Sequence, residues 1–222
     1  MTSYAFISYQ TADKAVAGQV KRLLANAKIE AFLAHEDIEV SLEWRLKILE
    51  EIGNANIFIC LLSKHYLQSP WCVQESGIAA FREGTTIIPL SLDGTNPTGF
   101  VSSFQAVRVQ PDKITLRDLL PAFFKHDFDT GVELTIELIG KSGGYRTAEE
   151  NFQLILPHIS KMSNEQVKLL LQRAANNDQV HQASLCASDY LPQLLKSHGR
   201  LLTPETRSLL KKICAGYASA RS

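Results

Sequence analysis

An excess of basic residues is missing from this chain: lysine plus arginine number 23, aspartate plus glutamate also 23, in 222 residues. So even a balance leaves no electrostatic footprint for nucleic acid or an anionic membrane. No local basic stripe with interleaved aromatics supplies one either. Long apolar runs are missing too; none nears the roughly 20 residues a membrane span needs, and the opening residues do not read as a signal peptide. Cysteine is scarce, and Cys60, Cys72, Cys186 and Cys214 form no C-x-x-C pair. The four read as reduced thiols in a cytoplasmic protein, with no metal site among them.

What is present is ample core material. Hydrophobic residues make up 45% of the chain, and its length suits one large domain or a domain with a smaller module. The first half alternates strand-like and helix-like segments. Tyr4 to Tyr9 is a short apolar run, and Val16, Val20, Leu23 and Leu24 follow at helical spacing behind Thr11 or Asp13 as cap. Residues 29–34 read as a second strand. A polar loop, 35–40, leads to a helix capped by Ser41, with Leu42, Leu46, Leu49 and Ile52 or Gly53 along one side. Residues 56–63, 86–92 and 105–109 read as three further strands, with Pro89 implying that one edge of the fourth is unpaired or bulged there. Such alternation predicts parallel pairing with right-handed crossovers, a flavodoxin-like α/β sheet in the order 2-1-3-4-5.

The grammar changes after Pro111. Residues 115–125 read as an amphipathic helix, and Val132 to Ile139 fits either a strand by alternation or a helix by the spacing of Val132, Ile136 and Ile139. Helices are expected near 148–158, 163–176, 178–197 and 203–218, with Ser163, Asp178 and Thr203 as caps and Pro204 at a first helical position. The expected domains are therefore an α/β unit over 1–140, a linker over 141–147 and an all-helical module over 148–222.

The stretch Ser69-Pro70-Trp71-Cys72-Val73-Gln74-Glu75 carries the most chemistry. Ser69 suits an N-cap and Pro70 the first helical position, so a helix starts here, running to Arg82 or Glu83 and closing at Gly84. Trp71 and Glu75, four residues apart, then share one face near the positive end of that helix. A carboxylate beside a flat aromatic can hold a ribose and stack a base.

Four blocks in order resemble a TIR (Toll/interleukin-1 receptor) domain over roughly residues 1–140: Tyr4 to Tyr9; Phe32-Leu33 with Glu36-Asp37-Ile38 and Trp44; Ile57 to Ser63 with Tyr66; and Ser69 to Glu75. Ser41, where the family usually has glycine, and Ala34, where it has an acidic residue, depart from the pattern. The resemblance implies two alternatives. Some TIR domains only assemble with one another. Others cleave NAD between nicotinamide and ribose, and carry a glutamate four residues after the tryptophan, the position of Glu75.

The resemblance thus implies Glu75 as the catalytic residue and NAD as substrate, with no separate cofactor. In the predicted sheet the crevice at the ends of strands 1 and 3 brings Ser8, Tyr9 and Gln10 opposite Ser63, Lys64 and Glu75. His35 and Asp37, in the loop over the crevice, and Trp71, as a stacking face or a packing residue, complete the expected substrate-binding set. The resemblance further implies self-association, with a neighbour's loop completing the site. In bacteria it implies antiviral defence, with a separate effector protein reading the product.

Three other readings fall on residue chemistry. Cys72 has no histidine in position to act as its base, and His65 is a loop histidine. Gly140-Lys141-Ser142 ends like a phosphate loop, yet Thr135 stands where the first glycine is required. Residues 140–144 also fit G-x-S-x-G, a hydrolase elbow that needs a strand before it; linker is the expected reading.

Overall fold

The computed structural model describes residues 3–34 and 44–219. It divides into two compact units, 1–128 and 129–222.

The first unit is built on a parallel sheet whose described strands run in the order β2-β1-β3-β4-β5. These are β1 (Tyr4–Ser8), β2 (Glu30–Leu33), β3 (Ile57–Leu62), β4 (Thr86–Ser91) and β5 (Val107–Arg108). Every residue of β3 and β4 is buried, as strands covered on both faces require. Pro89 sits in β4 opposite Cys60 of β3, and pairing with β5 starts only at Leu90↔Val107. The missing proline N–H thus falls where the outer edge of β4 is not yet paired, as expected.

Between the strands run α1 (Lys14–Asn26), α2 (Trp44–Asn54), α3 (Lys64–Gln68) and α4 (Pro70–Phe81), with α5 (Leu120–His126) closing the unit. α3 has no counterpart among the helices expected from the sequence; it is a short helix that Ser63 caps by accepting from the Tyr66 N–H. Asp13, one of the two expected caps, stands at the N-cap position of α1 but makes no capping bond and instead accepts from Ser63 Oγ at 2.6 Å. Gln10, accepting from the Ala12 N–H at 2.6 Å, caps the 3-10 turn Thr11–Asp13 before it.

The face of α2 is corrected in part: Ile52 is buried as expected, while the expected Ser41 cap and Leu42 lie outside the described residues. Ile48 and Ile52 are buried, whereas Leu46 and Leu49 are 62% and 39% exposed. Glu51 is buried on the same helix and is held there by Tyr4 Oη and by Lys47, 2.7 Å away. Two charged or polar partners make that buried carboxylate tolerable, so a glutamate turns inward where the leucines do not. Arg82 ties the end of α4 to α2 by donating to the carbonyls of Ile52 and Ala55.

The second unit is helical: α6 (Phe128–Gly140), α7 (Tyr145–Ile155), α8 (Asn164–Ala175), α9 (Asp178–His181), α10 (Leu191–His198) and α11 (Pro204–Ser219). The ambiguous stretch 132–139 is helix, with Val132, Ile136 and Ile139 fully buried. The segment leading into Ser142 is helix rather than strand, so the hydrolase elbow has no setting. The sequence division at 140 differs from the structural one because α6 is tied into the helical unit. Arg173 reaches Glu137 at 2.7 Å, and Asn177 Nδ2 donates to the Gly140 and Ser142 carbonyls at 3.0 Å each.

Ser163 and Gln166 form a capping box at α8. Asn177, not Asp178, caps α9. The single helix expected over 178–197 is broken, with a π-helical turn at Cys186–Tyr190 before α10. Among the described residues no helix is long and apolar enough to cross a membrane.

Candidate active site

β1 ends at Ser8, paired beside Cys60 of β3, and β1 is the strand at which the chain order of the sheet reverses. The carboxyl ends of the two strands on either side of such a point form the natural crevice of an open α/β sheet. α4 delivers a carboxylate to it. Ser69 caps α4 through the Cys72 N–H, Pro70 fills its first position, and Glu75 follows on the inner face.

Glu75 is 1% exposed. Its Oε2 accepts from Ser8 Oγ at 2.5 Å, while its Oε1 is buried with no hydrogen-bond partner among the described residues. Burial pushes the carboxyl up from its ordinary 4.5 to about 7, against the opposing pull of the Ser8 hydroxyl. The side chain is thus a desolvated base with one oxygen held and one bare, poised to change charge near neutrality. A carboxylate with one oxygen held and one bare can accept a hydroxyl and oppose a nearby positive charge.

Behind Ser8 lies a polar cluster that the sequence reading did not assemble. Tyr66 Oη lies 2.9 Å from Ser8 Oγ, 2.7 Å from Ser76 Oγ and 3.1 Å from the Cys72 carbonyl. Tyr66 was visible only as part of a family block, and Ser76 had no signal beyond being polar one position after Glu75. Burial pushes the Cys60 thiol to about 12 and the Cys72 thiol to about 11, so neither is a ready nucleophile.

The other expected residues divide. Trp71 is 37% exposed and stacks edge-on against Trp44, ring centroids 4.2 Å apart. Tyr9, expected in the crevice, is fully buried. Gln10 spends its side-chain oxygen on the local turn. Lys64 is exposed, and it is its backbone N–H that is bound, donating to Asp93 at 3.0 Å. His35 and Asp37 lie outside the described residues.

An apolar groove of about 610 Å³ runs along α4, bordered by Val73, Ile78, Phe81, Phe100 and Val101; Tyr66 and Ser76 line it but Glu75 does not. Phe81 and Phe100 stand 89% and 85% exposed beside it.

The model of the TIR domain family matches residues 5–120. Among solved structures, the chain is similar to the TIR domain of a Toll-related receptor from the lower metazoan Hydra magnipapillata. The two share 20% identity over 57% of this chain and 96% of that one, with a TM-score of 0.45. No curated protein matches.

Proposed function

The chain belongs to the TIR domain family, and from that premise we propose that it is an NAD glycohydrolase or ADP-ribosyl cyclase with Glu75 as its catalytic residue. The observation that carries the reading is the bare, buried Oε1 of Glu75 beside an Oε2 held by Ser8. In NAD the nicotinamide is already cationic. When the C1′–N bond breaks, its electron pair neutralises the departing ring, and positive charge develops on the ribose instead. An ionised Glu75 opposes that charge and accepts from a ribose hydroxyl through Oε1. Water at C1′ then gives ADP-ribose; an adenine nitrogen or a ribose hydroxyl gives a cyclic product.

Trp71 is the candidate stacking face, with Trp44 fixing its ring. Gln10, Tyr9 and Lys64 have weaker claims than Ser8, because their described surroundings do not turn them toward Glu75. Self-association fits the exposed Phe81 and Phe100. A cytoplasmic role in antiviral defence, through a second protein that reads the product, belongs to the same proposal.

A second reading, a non-catalytic scaffold acting through TIR–TIR contacts, is favoured by two observations. Glu75 is almost inaccessible, and the groove on α4 is apolar and is not lined by it. Purified protein with NAD, at low and high protein concentration, separates the two. Nicotinamide release that rises with concentration and vanishes in Glu75→Ala supports the enzyme. Turnover that survives Glu75→Ala rejects the role given to Glu75. Absence of turnover in wild type at every concentration, with assembly unchanged in Glu75→Ala, supports the scaffold.

A further inference from the structure

The polar cluster behind Glu75 is a chain of hydroxyls with a fixed number of hydrogens. Glu75 Oε2, Ser8 Oγ, Tyr66 Oη and Ser76 Oγ follow one another at 2.5, 2.9 and 2.7 Å. The chain ends on the Cys72 carbonyl, 2.9 Å from Ser76 Oγ and 3.1 Å from Tyr66 Oη. All four side chains are buried, so solvent does not complete their bonds.

Three hydroxyls own one hydrogen each. With Glu75 ionised, Ser8 must give its hydrogen to the carboxylate. The Ser8–Tyr66 contact is then a hydrogen bond only if Tyr66 donates to Ser8, and Ser76 is left to donate to Tyr66 or to Cys72. With Glu75 protonated on Oε2 the order reverses: Glu75 donates to Ser8, Ser8 to Tyr66, and Tyr66 to Ser76 or the Cys72 carbonyl. Both orders are satisfied, because the far end is a carbonyl that only accepts. Between these two orders, the charge on Glu75 and the directions of the Ser8 and Tyr66 hydroxyls change together.

We propose that Tyr66 and Ser76 are positioning residues for Glu75, turning the Ser8 hydroxyl toward it and so favouring the ionised carboxylate. The proposal deepens the reading of Glu75 as the catalytic carboxylate and rests on it. In the ionised order each bond points its hydrogen toward the negative charge, and aligned charge-assisted bonds reinforce one another. In the neutral order that reinforcement is weaker, so the chain as a whole favours ionisation.

The titratable groups facing Glu75 are Cys60 on β3, Cys72 on α4 and, beyond Ser8, Tyr66 on α3. Burial pushes all three upward and keeps them neutral near pH 7. The influences on Glu75 are its own burial and the Ser8 hydroxyl, which leaves the hydroxyl chain as the counterweight to desolvation.

The test is a pH titration of the Glu75 carboxyl carbon by NMR in the ligand-free full chain, with nicotinamide release measured separately. Tyr66→Phe keeps the ring but removes the hydroxyl that donates to Ser8. It moves the Glu75 midpoint up from about 7 by on the order of one pH unit. Ser76→Ala moves it in the same direction by less. The acidic limb of nicotinamide release moves up with the midpoint in each variant. A midpoint that stays in place or falls in both variants overturns the proposal. If Tyr66→Phe does not fold, Ser76→Ala decides alone by the same shift. A midpoint that moves as stated in a protein that never cleaves NAD overturns the NAD reading while supporting the control of Glu75 by the hydroxyl chain.

Discussion

Ser8 Oγ and Glu75 Oε2 meet at 2.5 Å across 67 residues of sequence, the last residue of β1 donating to the second turn of α4. The contact joins two elements that the sheet order alone brings together. It also makes Ser8 the described hydrogen-bond donor to a carboxylate that burial would otherwise leave protonated. Ser8→Ala removes that donor without adding bulk. We expect nicotinamide release at pH 7 to fall by about tenfold or more, the loss of one charge-assisted hydrogen bond. Initial rates between pH 6 and 9 check it: the deficit shrinks as pH rises, because high pH restores the ionised form. A deficit constant with pH would mean that Ser8 touches substrate instead.

Burial of Glu75 has a stability consequence of definite sign. The folded value, about 7, stands above the ordinary 4.5, so between those two pH values the native protein holds a proton that the unfolded chain has released. Stability is therefore greatest below about 4.5, declines as pH rises through the window, and levels off above about 7. The gap corresponds to roughly 3 kcal/mol. Glu75→Gln keeps the shape and removes the charge. It should raise the melting temperature at pH 8, change it little at pH 4.5, and flatten the wild-type dependence between. Thermal melts at the two pH values decide the matter, and a Glu75→Gln protein less stable than wild type at pH 8 would show the carboxylate to be structurally favourable.

The thiols give a prediction with the opposite expectation for chemistry. Cys60 and Cys72 are fully buried, with values near 12 and 11, so scarcely any thiolate exists at pH 8. Iodoacetamide should leave both unmodified in the native protein and alkylate both in guanidinium, as peptide mass mapping would read. Cys72→Ala should retain most of any NAD turnover, and loss of turnover in a folded Cys72→Ala protein would reopen a covalent mechanism.

The sheet was legible because its signals are local. The apolar run before Ser63 has the length and β-rich composition of a buried strand, and Ser69-Pro70 is a helix start in two residues. The spacing of Trp71 and Glu75 was legible for the same reason. The hydroxyl chain was not, because Ser8 and Tyr66 are 58 residues apart and neither shows in a local pattern that its hydroxyl faces the other. The face of α2 misled for a related reason: Leu46 and Leu49 satisfy helical spacing, but Tyr4 and Lys47 make it acceptable to bury Glu51. Residues 132–139 alternate like a strand because Glu133 and Glu137 interrupt apolar positions that a helix also buries. No pattern of period two or 3.6 decides so short a run.

That helix sets the last prediction, on where the chain divides. α6 has 13 residues, too few for an isolated helix to persist in water, and its Val132, Ile136 and Ile139 are fully buried. Its Glu137 and Gly140 are held from α8 and by Asn177, all within the second unit. A fragment ending at 140 therefore carries an apolar helix stripped of those partners, whereas one ending at 128 does not. We expect residues 1–128 to stay free of aggregate and to melt cooperatively, and residues 129–222 to fold as a separate helical unit. Residues 1–140 should bind a hydrophobic dye or aggregate. Circular dichroism, light scattering and dye binding on the three fragments check this together. If 1–140 were well behaved and 1–128 unfolded, α6 would belong energetically to the sheet, and the boundary read from the sequence would replace the structural one. If 1–128 folds as expected, it is also the fragment on which NAD cleavage is best measured without the helical unit, since a rise in turnover on its removal would assign that unit an inhibitory role.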